Sequence, residues 1–74
     1  MVFDYSKLRG RIVEICGTQQ NFTRQMGISG TAVSAKLNNR VEFTQGEILR
    51  AAQILQIPAD QIRDYFFIES VKKN

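Results

Sequence analysis

Between Gly17 and Asn39 the chain has room for two short helices and one sharp bend, and this stretch limits the fold more than any other. Thr18 stands where a helix needs an N-cap, and Phe22 and Met26 lie four apart on one face of the helix it opens. Gly27 closes that helix after about two turns. Only Ile28 separates Gly27 from Ser29, the natural N-cap of a second helix. That helix has Val33 and Leu37 as its inward pair, and Asn38-Asn39 stops it. Helix, three-residue turn and helix in this spacing make a helix-turn-helix. The glycine takes the left-handed backbone of the bend, the apolar residue plugs the gap and the polar cap restarts the helix. Phe22, Met26, Ile28, Val33 and Leu37 then form one cluster.

The flanking segments also read as helical. Asp4 can cap a first helix with Tyr5, Leu8, Ile12, Ile15 and Cys16 at inward spacing, followed by Gly17 where a left-handed C-terminal cap is wanted. Gly10 is its weak point. Thr44 and Glu47 form a capping box before a fourth helix striped with Ile48, Ala51, Ala52 and Leu55, ending near Gln56. Pro58 and Asp60 start a fifth helix that runs to about Phe66, with Ile62, Tyr65 and Phe66 inward. From Phe67 to Val71 the pattern fits neither helix nor strand, so a short strand, a helix extension and a tail packed on a partner all stay open. No Asn-Gly or Asp-Gly hairpin signal, internal repeat or linker occurs. The expected fold is all-α: a single domain over 1–74, a compact bundle of about five short helices with its helix-turn-helix core at 18–38.

Composition narrows the function classes. With 74 residues there is room for one core and one site. The chain has one cysteine, Cys16, and no histidine, so an intramolecular disulfide, an ordinary zinc site and the usual hydrolytic triads are excluded. No enzyme activity, cofactor, metal or small-molecule substrate is expected, and Cys16 reads as an inert core residue. The apolar runs fall far short of the roughly 20 residues of a membrane span, and the start lacks a secretion signal. The expected location is the cytoplasm.

Charge is uneven along the chain. Residues 1–41 carry six cations against two carboxylates, and residues 42–74 carry four against five. A basic first half points to a polyanionic partner, with a merely solvated face as the plainer alternative. On a helical wheel Thr31, Ser34, Ala35 and Asn38 lie opposite Val33 and Leu37, with Ala32 at the margin. This small, uncharged face can enter a DNA major groove, its hydroxyls taking either base sense and its methyls touching thymine. It lacks bidentate readers in its first turns, so phosphate contacts should supply much of any affinity. Arg9 and Arg11 read as solvating helix one. The run Tyr65-Phe66-Phe67-Ile68 cannot all face one way on a short helix, so part of the tail 67–74 is expected against another subunit.

The stretch QQNFTRQMGISGTAVSAKLNNR, Gln19 to Arg40, resembles the helix-turn-helix of Cro and cI-type (XRE) phage regulators, whose fold is the lambda-repressor-like domain. Over its whole length, through FDYSKLRGRI, SAKLNNRVEFTQGEI and DQIRDYFF, the chain is similar to small Cro-like repressors and antirepressors of phages of Gram-positive bacteria. The resemblance implies base reading by Gly30, Thr31, Ser34 and Ala35. It places phosphate contacts at Gln19, Asn38, Asn39 and Arg40, and at the amides near Thr44 and Gln45. Thr23 stands where alanine is usual. Lys36 stands where an apolar residue is common, and it is expected to shift the helix or to snorkel to a phosphate. The implied function is a sequence-specific repressor that binds operator DNA as a homodimer with its third helix in the major groove. The alternative is an antirepressor that masks a partner repressor's DNA-binding domain with the same surface.

Overall fold

The computed structural model describes residues 2–70. It contains α1 (Ser6–Cys16), α2 (Gln19–Met26), α3 (Gly30–Leu37), α4 (Gln45–Ile54) and α5 (Ile62–Phe66), with a 3-10 turn at Ala59–Gln61 leading into α5. This is the all-helical bundle the periodicity predicts. The fifth helix differs in detail: its first turn is wound tighter, and Ile62 is only half-buried. None of the described helices is long and apolar enough to cross a membrane.

The ambiguous stretch after Phe66 becomes an extended partner for the residues before α1. Phe3 and Glu69 form an antiparallel bridge. The Asp4 amide donates to the Ile68 carbonyl at 2.7 Å, and the Ser70 amide to the Val2 carbonyl at 2.8 Å. These bonds tie both ends of the described chain together. Val71 and the rest of the tail expected as an interface, 71–74, lie outside the described residues.

Every helix contributes to one core. Leu8 of α1, Phe22 of α2, Val33 of α3 and Ala51 of α4 have no exposed surface, nor has Leu55 at the end of α4, while Phe66 of α5 is 1% exposed. Tyr5, Phe43 and Phe66 continue the core as a chain of edge-to-face rings, with centroids 5.6 and 5.4 Å apart. Cys16 is buried within this core, and burial raises its thiol pKa. Ile15, expected inward, is exposed instead. It sits at the margin of the α1 stripe and in the helix's last turn, where the chain leaves toward α2.

The caps follow the sequence closely. Thr18, Ser29 and Thr44 accept hydrogen bonds from the amides of Asn21, Ala32 and Glu47, each at 3.1 Å. The Glu47 carboxylate returns a bond to the Thr44 amide at 2.9 Å and so completes the capping box. At α1 the N-cap is Tyr5, with no side-chain bond. Asp4, expected to cap this helix, accepts instead from the amide and hydroxyl of Ser6, which holds its carboxyl below the usual range.

Arg11 does not merely solvate helix one. Its Nε donates to the Leu55 carbonyl at 2.9 Å and one Nη to the Gln56 carbonyl at 3.3 Å, closing the C-terminus of α4. Two glycines should respond in opposite directions to alanine. A Cβ at Gly10 meets nothing within 4 Å, so Gly10→Ala should stabilise the fold by about 0.5–1 kcal/mol. Gly27 also has open space but sits at φ 73°, so Gly27→Ala should destabilise by about 1–2 kcal/mol. Urea unfolding midpoints should therefore move apart; a Gly27→Ala midpoint at or above wild type would contradict the role of this bend.

Candidate partner-binding surface on α2 and α3

The bend between α2 and α3 is built by three residues with separate tasks. Gly27 takes the left-handed backbone, and its amide donates to the carbonyls of Thr23 and Arg24 at the end of α2. Ile28 packs half-buried against the core. Ser29 caps α3. Phe22 and Met26 on one side and Val33 and Leu37 on the other are buried together, which fixes the two helices against each other. Arg50 of α4 donates to the Gln25 carbonyl at 3.0 Å and braces α2 from behind.

The outward face of α3 is as small as expected. Gly30 and Thr31 are exposed, and Ser34 and Ala35 are half-buried. Beside its N-terminus runs a shallow cleft walled by Gln19, Gln20, Thr23, Arg24, Ile28 and Gly30. The predicted base-facing residues thus share one ridge. No carboxylate occurs from residue 15 to residue 41, and Arg24 and Arg40 are exposed near the ridge ends.

The residues expected to reach phosphates divide into two sets. Lys36 corrects the sequence reading most sharply. Its side chain is 8% exposed and its ammonium lies 3.2 Å from the Glu47 carboxylate, so it joins α3 to the start of α4 rather than reaching outward. Asn39 is also committed internally. Its amide group accepts from the Phe3 N–H at 2.8 Å and donates to the Phe3 carbonyl at 3.0 Å, an arrangement that resembles a strand neighbour. The backbone there is left-handed, φ 62°, which asparagine tolerates better than most residues.

The Thr44 amide donates to Glu47 in the capping box, so it too is occupied. Asn38 stays exposed, but it accepts from Arg9 at 3.2 Å and donates to the Ser34 hydroxyl at 3.3 Å. Gln19, Arg40 and Gln45 are the members of the set whose side chains make no such bond among the described residues.

Arg9 has a role that local patterns do not reveal. One Nη donates to the Leu37 carbonyl at 3.1 Å as well as to Asn38, so α1 caps the C-terminus of α3 from the side. Glu47 was legible as a cap but not as the counter-ion of Lys36. The Thr44 amide and Lys36 together hold its carboxyl below the ordinary glutamate range. The described residues include no cluster of metal-ligating side chains.

Comparison with known proteins places this arrangement. The family model described as "Protein of unknown function (DUF739)" matches residues 1–69. The solution structure of the modulator of repression (MOR) of the temperate bacteriophage TP901-1 from Lactococcus lactis superposes with a TM-score of 0.80. The two chains are 48% identical, over 90% of each. No curated protein matches the chain. The likeness to Cro and cI-type regulators is carried by the residue pattern alone.

Proposed function

This chain belongs to the DUF739 family, and on that premise we propose that it is a phage regulatory protein that modulates repression by docking its α2–α3 surface onto a repressor. The likeness to a modulator of repression supports a regulatory role. The character of the α3 ridge carries the choice of a protein partner over DNA alone. Thr31, Ser34 and Ala35 offer no bidentate reader, and Lys36, Asn39 and the Thr44 amide are bound within the fold. A ridge of small side chains can approach another protein closely at little cost in side-chain entropy. Such a role needs no catalysis or cofactor, and its setting is the cytoplasm of the host bacterium.

A second reading is favoured by one observation: the exposed Arg24 and Arg40 in a stretch free of carboxylates. On that reading the chain is itself a repressor, a homodimer binding two operator half-sites with α3 in the major groove. Mixing purified protein with a repressor from the same phage separates the two. Co-elution on gel filtration, with the chain alone leaving operator DNA unretarded at about 150 mM salt, is the expected result. Separate elution, with retardation of operator DNA by the chain alone, would favour the second reading.

A further inference from the structure

A second groove lies on a different part of the molecule. Ile48 and Leu49 of α4 face Ile62 and Phe67 across a hollow of about 300 Å³, whose walls are almost wholly hydrocarbon. Gln45, Ile48 and Phe67 also line an adjacent hollow over Phe3 and Phe43, so the two run into one another. Leu49 is 60% exposed and Phe67 47% exposed, large values for apolar side chains lining one continuous groove. The groove shares no wall residue with the α2–α3 cleft.

Its rim is acidic. Glu42 lines the Phe3 end. Glu69 is bridged to Phe3, and residues opposite each other in such a pair project to the same face. Among the described residues no cation lies within 4.0 Å of either carboxylate.

A protein that binds DNA must carry lysine or arginine for the phosphates. The α2–α3 surface, with Arg24 and Arg40 and no carboxylate nearby in sequence, offers such a protein no counter-charge. The groove offers both counter-charge and apolar area. We propose that this groove is a second contact with the repressor, taking an aliphatic side chain next to a lysine or arginine from its DNA-binding domain. The inference rests on the reading that a repressor is the partner. A second copy of this chain, whose Val41 is 52% exposed beside Arg40, is the competing occupant, which sedimentation separates from the repressor.

The test measures binding of the purified repressor to the full chain and to three variants. Leu49→Lys and Glu42→Lys should each weaken binding tenfold or more at about 50 mM salt, and the Glu42→Lys effect should shrink as salt rises. Val13→Lys replaces an apolar side chain that is 61% exposed on α1, away from the groove, and should stay within about twofold of wild type. Tight repressor binding by wild type and both groove variants alike would overturn the groove assignment and leave the proposed function standing. No binding by the wild type would overturn the proposed function itself. Sedimentation of the chain alone supplies the remaining arm: a wild-type dimer that Leu49→Lys turns into monomers would assign the groove to a second copy and overturn the repressor segment.

Discussion

Glu47→Ala is expected to destabilise the protein by about 3 kcal/mol, whereas Lys36→Met should change stability by less than about 1 kcal/mol. The asymmetry follows from where the two charges sit. Lys36 has a side chain only 8% exposed, and without Glu47 its ammonium has no carboxylate within reach among the described residues. Glu47→Ala also removes half of the capping box at α4. Glu47, by contrast, is 22% exposed and keeps its bond to the Thr44 amide when Lys36 is gone. Methionine fills the buried path of the lysine stem without a charge to desolvate.

Acid should reproduce part of the loss. The pKa of Glu47 is lowered in the folded protein, so its contribution is complete above the ordinary glutamate value and disappears as pH falls through the depressed folded value. Urea unfolding of the three proteins near neutral pH and at successively lower pH checks both statements. Equal losses for Glu47→Ala and Lys36→Met would contradict the buried-pair account.

The second large effect concerns the ridge. Thr31 is exposed at the start of α3, and Thr31→Arg replaces a side chain that makes no contact the fold depends on. On the proposed function, repressor affinity should fall tenfold or more, about 1.4 kcal/mol, because a long cation now stands where the partner packs. The thermal midpoint should change little, since arginine is the better helix former but its charge opposes the dipole in the first turn of α3. Affinity for non-specific DNA should rise, because the ridge gains a phosphate-pairing group. Unchanged repressor binding by Thr31→Arg would detach the α3 ridge from the contact.

What was legible in the sequence was local. Thr18, Ser29 and the Thr44–Glu47 pair each act within three residues of their partners, and Gly17 and Gly27 act through their own φ angles. Side chain and backbone spacing therefore revealed the helices, the bend and the inward faces of α2 and α3. The corrections that reshape the site involve long sequence separations, whereas those at Asp4 and Ile15 are local. Arg9 reaches residues 28 and 29 positions away, Arg11 reaches 44 and 45, and Asn39 pairs with Phe3 across 36.

No periodic pattern records which helix end a surface arginine will cap, or which carboxylate a buried lysine will meet. The site was affected for the same reason. Thr31, Ser34 and Ala35 fall on the predicted ridge, because a helical face is set by local geometry. Lys36 and Asn39 left the predicted phosphate set because α4 and the N-terminal segment fold against them. The closing pair Phe3 and Glu69 had no period to announce it, as a single bridge is too short to alternate.

The α2–α3 surface is proposed to recognise a repressor protein in preference to DNA. Amide spectra of the isotopically labelled chain test this directly, titrated in parallel with the repressor and with an operator duplex at about 150 mM salt. The account predicts saturable shifts at Thr31, Ser34 and Ala35 with the repressor and none of comparable size with the duplex. Saturable shifts at those three amides with the duplex, and a silent spectrum with the repressor, would contradict it.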